Sequence, residues 1–271
     1  MQCPLITSVY PSTKMPYYIG TLPYTRFSAG VKALHLLCHN LNIRGQSAYL
    51  LPINDVSSSE YETFCEPDFL TPILTARIAR HHFENGHTPI TIYPEIVLGN
   101  PFWSTCVVRY VLNFPGVLGG NKIFDEHELC FGYSKILAET TNNPDNILFI
   151  PTSDTRIFYP DTEQSERNGT CFYASKYQKN HHGKLLDITK NSYEITSGLV
   201  NSPSPEHIAD IFRKSEIFYT YENTALATEA TLCGCPAVFL PNEHLDSIIA
   251  SEELGSDGIA WGHSDKEIAR A

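Results

Sequence analysis

The stretch from Ile217 to Pro241, IFYTYENTALATEATLCGCPAVFLP, confines the chain to a narrow set of folds. A run of β-branched and aromatic residues leads into a tight polar loop. A helix-forming run, a glycine stop at Gly234 and a second apolar run follow, so the order is strand, helix, strand. Two strands joined through a helix lie parallel, and a parallel sheet needs cover on both faces. One such unit implies an α/β domain that contains more of them.

The rest of the chain supplies them. Thr170 to Ala174 and Ser192 to Ile195 have strand character, and Pro205 to Lys214 is a predicted helix opened by Ser204. Ile217 to Thr220 is a strand, Thr224 to Leu232 a helix, and Ala237 to Leu240 the strand after it. In the first half, Val31, Leu34, Leu37, Cys38 and Leu41 recur at helical spacing and predict a helix over Gly30 to Arg44, capped by Ser28 and ended by Gly45. Ala48 to Ile53 is a predicted buried strand, Leu70 to Asn85 a helix stopped by Gly86, and Pro89 to Val97 a strand. Val107 to Leu112 suits either class, Glu126 to Leu137 has no clear class, and Ile147 to Pro151 is a short strand. The acidic stretch Asp161 to Gly169 marks a surface turn between halves. The expectation is two α/β domains, 1–150 and 151–271.

Composition excludes several classes. With 42% hydrophobic and 18% charged residues the chain can bury a core. Its formal net charge of −11 is wrong for gripping nucleic acid, which needs a basic face. The eight cysteines form no C-x-x-C pair, so no zinc site is expected. The start lacks the charged and apolar run of a leader, and no window has the length of a membrane span, so a cytoplasmic protein is expected.

The chemistry concentrates at the start of the Thr224 helix. Asn223, Thr224 and Ala225 are small loop residues where free backbone N–H groups and the helix dipole suit a phosphate or diphosphate. Glu229, farther along, has the chemistry to accept ribose hydroxyls; the alternative is a solvated glutamate in an ordinary βαβ unit. Lys176, Lys179 and Lys184, in FYASKYQKNHHGK, offer cations for a departing diphosphate, or form a solvated lysine-rich turn. His35 and His39 share one helix face, but no third ligand accompanies them, and packing or acceptor contact is expected there. No G-x-G-x-x-G follows a strand, and no G-x-S-x-G elbow is present.

The Glu229 stretch resembles the donor-binding sequence of GT-B glycosyltransferases, above all the retaining family-four group, which runs E-G-F-G-L-P-x-x-E-A-x-A-x-G-x-P-V. Glu229, Ala230, Gly234 and Pro236 match; the first family glutamate falls on Tyr221, with Glu222 one step later, so the spacer is six residues instead of seven. Ile150 to Pro160 is similar to the segment I-P-N-G-V-D-x-x-x-F-x-P that enters the second domain, through Asp154, Phe158 and Pro160. Ser28 to His35 resembles the glycine loop and first helix of the acceptor domain. The resemblance implies two Rossmann-like domains facing across a cleft, with a nucleotide-diphosphate-sugar donor on the second domain and a glycan or other hydroxyl acceptor on the first. It implies Glu222 and Lys176 as catalytic residues. Lys176, Lys179, Lys184, Tyr221, Asn223, Thr224, Ala225 and Glu229 would hold the donor. Gly30, His35 and Glu95 would lie on the acceptor side, with Glu95 or Asp55 as base should the reaction invert. It further implies retaining, metal-independent transfer without a cofactor, in cell-surface polysaccharide assembly, and closing helices beyond Ala271 or further domains of a longer polypeptide. An epimerase on the same fold and a non-catalytic carbohydrate-binding or scaffolding relative are the rival classes.

Overall fold

The computed structural model describes residues 15–54, 63–161, 166–196 and 202–271. The chain forms two compact units, Met1–Thr152 and Ser153–Ala271. Each is α/β with one five-stranded parallel sheet, in keeping with a Rossmann-like architecture.

In the first unit, β1 (Tyr17–Thr21) leads through α1 (Ala29–Ile43) to β2 (Ala48–Pro52), and α2 (Ala76–Glu84) leads to β3 (Ile90–Pro94), β4 (Cys106–Val111) and β5 (Leu129–Gly132), followed by the short α3 (Lys135–Ala138). The sheet order is β2-β1-β3-β4-β5. The interior strand β1 is the element the sequence pattern failed to announce. Ile19 pairs with Leu50 on one side and Ile92 on the other. Gly20 fits because a Cβ there would meet Ile53 Cγ2 at 3.1 Å and the Ile92 carbonyl at 3.3 Å. Helix α1 has its predicted cap, Ser28 Oγ accepting from the Val31 N–H at 3.3 Å, and buries Val31, Leu34, Leu37 and Cys38 against the sheet.

Two first-half expectations need correction. The helix expected from Leu70 begins at Ala76, where Thr75 Oγ1 accepts from the Ile78 N–H. The residues before it spend their backbone groups on the outer edge of β2, with the Leu50 N–H donating to the Pro72 carbonyl and the Leu74 N–H to the Leu50 carbonyl, both at 2.8 Å. The strand expected from Ile147 to Pro151 shrinks to one bridge between Ile147 and Gly132.

The β3–β4 and β4–β5 crossovers carry no helix, although sheets of this type are ordinarily covered by them. Arg109, at the middle of β4 and fully buried, holds these crossovers in place. Its guanidinium donates to Glu128 Oε1 and Oε2 at 2.6 and 3.1 Å. It also donates to the Val97 and Gly99 carbonyls at 2.9 and 3.0 Å. The rings of Tyr93 and Phe124 flank it.

The second unit runs β6 (Thr170–Tyr173), α4 (Ser175–His181), β7 (Tyr193–Glu194), α5 (Pro205–Lys214), β8 (Ile217–Thr220), α6 (Ala225–Leu232), β9 (Ala237–Phe239), α7 (Ser251–Leu254), β10 (Ile259–Trp261) and α8 (Asp265–Arg270). The order is β10-β9-β8-β6-β7. Alternation sorts the side chains: Cys171, Tyr173, Phe218 and Phe239 pack under α5 and α6 with Phe212 and Ala230. Phe172, Tyr219, Tyr221 and Val238 form the opposite core with Tyr177 of α4 and Ile268 of α8. Counted within its own unit, each sheet has the order 2-1-3-4-5. The direction of winding reverses between β1 and β3, and again between β6 and β8, and ligands of open α/β sheets bind outside the strand ends at such points.

Candidate functional site

Beyond the ends of β6 and β8, Glu222 meets the start of α4, which brings it beside Lys176 and next to the start of α6. Thr220 Oγ1, at the end of β8, donates to the Glu222 carbonyl at 2.7 Å and accepts from the Glu222 N–H at 3.3 Å. This tight turn sends the Glu222 carboxylate across to the start of α4, where Oε2 accepts from the Tyr177 N–H at 2.7 Å. Glu222 is 9% exposed, and its Oε1 is buried with no hydrogen-bond partner. Burial raises its pKa, opposed by the Tyr177 N–H and by the ammonium and backbone N–H of Lys176. A carboxylate oxygen buried beside a cation and open to one more donor is the arrangement that a ligand hydroxyl completes.

Tyr221 belongs to the core instead of a ligand surface. It is 2% exposed. Its hydroxyl accepts from the Leu186 N–H at 2.7 Å and shares a hydrogen bond with Thr189 Oγ1 at 2.9 Å. Its ring stacks on Tyr177 at 5.1 Å. Tyr221 thus fixes α4 and the segment after it, and shapes the site from beneath. Asn223 ties the site to the loop after β9: Nδ2 donates to the Ser247 carbonyl and Oδ1 accepts from the Ile249 N–H, both at 2.9 Å. Thr224 is the cap of α6, its Oγ1 accepting from the Leu226 N–H, and Ala225 is the first helical residue. Sequence reasoning missed Asn242, whose Nδ2 donates to the Tyr221 and Leu240 carbonyls and whose Oδ1 accepts from the His244 N–H. An asparagine directly after the Leu240-Pro241 strand end is an Asx-turn signal that could have found it.

The lysines lie on α4 and just past it, all exposed, on a helix where the alternative reading had a solvated turn. Lys176 stands in the first turn, exposed and near Glu222; Lys179 is exposed one turn on, and Lys184 follows the helix. Glu229 is 5% exposed, which excludes the solvated alternative. Asp154, from the segment entering the second unit, is engaged by Arg156 Nη2 at 2.7 Å, and Phe158 packs in the core.

In the first unit, Glu95 directly follows β3, at the point where the winding reverses. Its Oε2 accepts from the Leu112 N–H at 2.9 Å. Burial pushes its carboxyl up to about 7, opposed by backbone N–H groups of Leu112, Glu95 and Asn113. A carboxyl poised near neutrality has the strength of a general base. His35 is fully buried among Tyr24 and Phe64, and its Nε2 lies 3.1 Å from the Leu22 carbonyl. It fastens the loop after β1, which is the packing alternative of the expectation. Its Nδ1 is buried without a partner, and burial lowers its pKa. Gly30 is the second residue of α1; a Cβ there would make ordinary contact with Leu112 at 3.7 Å, so packing does not demand glycine. Asp55 lies outside the described residues.

Among the described residues no group of three or more His, Cys, Asp and Glu side chains is placed to hold a metal ion, and no helix is long and apolar enough to cross a membrane. No protein-family model and no curated protein matches the chain.

Proposed function

We propose that the chain is a glycosyltransferase that binds a nucleotide-diphosphate sugar on its second unit, beyond the ends of β6 and β8. The observation that carries this reading is the buried, unpartnered Oε1 of Glu222 at the winding reversal, flanked by Lys176 and the start of α6. A donor supplies what that set of groups lacks: a sugar hydroxyl for Oε1 and anionic oxygens for Lys176 and the α6 N-terminus. Lys176 and the helix dipole then stabilise the charge that develops on the departing diphosphate. Glu229 accepts from the ribose. The acceptor hydroxyl binds on the first unit, and exclusion of water from the reacting centre keeps hydrolysis from competing. Glu95, with its carboxyl raised to about 7, takes the acceptor proton if transfer inverts the anomeric centre. Polysaccharide assembly is the matching biological role.

A thermal-shift screen against UDP, GDP, ADP, CMP, dTDP and their sugar conjugates tests this. One nucleotide class should stand out, with about 2.7 kcal/mol of stabilisation at a hundred times its Kd. The sugar conjugate should exceed the bare nucleotide in wild type but not in Glu222→Gln. No shift from any of them would overturn the proposal. Turnover of the sugar without an acceptor would point instead to an epimerase.

A further inference from the structure

We infer that His82 is a proton-sensitive latch that holds α2 on the sheet of the first unit and lets it go as the pH falls below neutrality. This is independent of the donor site. A helix that covers a sheet ordinarily docks through an apolar stripe. In α2 the one buried residue is His82. Ile78 and Ala79 are only half-buried, and Phe83 stands in solvent. An imidazole thus occupies the place of an aliphatic anchor.

Its surroundings come from both neighbouring strands and from the turn after the helix. Tyr18 of β1 and Tyr49 of β2 are paired in register and so share one face of the sheet. The His82 ring stacks on Tyr18 at 5.8 Å and packs against Tyr49 at 5.3 Å. Its Nδ1 lies 2.6 Å from the Tyr18 hydroxyl. The His87 ring is 5.6 Å away, and that of His81, the neighbour on the helix, 6.1 Å. The end of α2 brings His87 there: Gly86, at φ +69°, reverses the chain, and the His87 N–H donates to the His82 carbonyl at 2.9 Å. The Nδ1 of His87 is buried without a hydrogen-bond partner.

The neutral imidazole suits this place and the imidazolium does not. Burial pushes the Tyr18 phenol up to about 12, so it stays a hydroxyl and donates to Nδ1 of neutral His82. A proton on that nitrogen reverses the bond and strands the phenol hydrogen beneath the helix. The titratable groups in ring contact with the new charge are two phenols, Tyr18 and Tyr49, and two imidazoles, His87 and His81. None of these is an anion. Burial first, then His87 and His81, lower the pKa of His82. The carbonyl end of α2 favours the charged form, by less than burial removes. Because docking lowers the pKa, the released helix binds the proton more tightly. Docking is therefore at full strength above about pH 6.5 and weakens as the pH falls through that value.

Hydrogen exchange of the full chain tests the latch, read by mass spectrometry over 76–87 and corrected for the intrinsic pH dependence of exchange. From about pH 7.5 to about pH 5.5, wild-type α2 should lose about five- to tenfold of its protection while α1 keeps its own. His82→Gln can accept from Tyr18 at every pH, and its protection should not change over this range. His87→Gln should narrow the wild-type loss, because one of the neighbouring imidazoles is gone. Wild-type protection that does not respond to pH, or an undiminished loss in His82→Gln, would overturn the proposal. The NMR titration of the wild-type His82 ring needs no variant: a midpoint below about 6.5 agrees with the latch, and one at or above it refutes it.

Discussion

Replacing Arg109 by leucine should cost the first unit about 4 kcal/mol, and the structure says where that cost arises. The guanidinium is fully buried and donates four hydrogen bonds, two to Glu128 and one each to the Val97 and Gly99 carbonyls. Leucine leaves a carboxylate whose side chain is 13% exposed without its counter-ion, and breaking a buried pair in that way costs about 3–5 kcal/mol. The two abandoned carbonyls add to this, partly relieved by water entering the loosened crossovers. Each unit carries one of the two tryptophans, Trp103 in the first and Trp261 in the second. Urea unfolding followed by Trp103 in a Trp261→Phe background should therefore show the midpoint falling by about 2 M, for a slope of about 2 kcal/mol/M. The transition seen by Trp261 in a Trp103→Phe background should move far less. Arg109→Leu combined with Glu128→Leu should recover about half of the loss, because the stranded charge is gone. A double variant as unstable as Arg109→Leu alone would refute the reasoning and assign the cost to the carbonyls.

Two further outcomes are expected. Burial holds the Glu95 carboxyl at about 7 against an ordinary 4.5, so the folded chain keeps a proton that the unfolded chain releases. That contribution is full below about pH 4.5 and declines by on the order of 3 kcal/mol as pH climbs to about 7. The stability of wild type minus that of Glu95→Gln should fall across this window, and a difference flat with pH in denaturant titrations would sink the assignment. Glu229→Ala should weaken nucleotide-sugar affinity about tenfold or more by calorimetric titration while the chain remains folded; unchanged affinity would remove Glu229 from the ribose contact.

Much of the second unit was legible because its signals are local. Ser204, Thr224 and Gly234 punctuate α5 and α6, and the strands around them are unbroken apolar runs. Where the signal is tertiary the sequence falls silent. Strand β1 is an interior strand paired on both sides, yet YYIGT is only five residues long and is interrupted by Gly20, so little in the sequence announces it. Helix α4 buries none of its residues beneath an apolar face of its own, so no 3.6-residue period marks it. In Leu70 to Leu74 the signal is local and the helical reading passes over it: Pro72 pushes Thr71 out of the helical region, and the open edge of β2 takes up the extended backbone.

The same division holds for the candidate site. Position at the α6 start selects Asn223 and Thr224, because a strand end and a helix cap are sequence-local events, and the resemblance adds Glu222 beside them. Which way each side chain turns depends on the neighbouring strand. Tyr221 and Glu222 are adjacent, yet alternation sends the Tyr221 ring down into the core beside Phe172. Glu222 goes sideways to Tyr177, at the point where the chain leaves β6. Since β6 and β8 pair only after the β7 excursion, no pattern within the Ile217–Pro241 stretch could disclose that contact. In the first unit the counterpart of Glu222 is Glu95, which also follows the third strand of its sheet and is also buried with its pKa raised by loss of solvent. Once β1 is seen to be the first strand, both glutamates stand beside the winding reversal of their own sheets. A buried carboxylate is costly anywhere, and its recurrence where open α/β sheets bind ligands gives the strongest physical reason to look for chemistry at both.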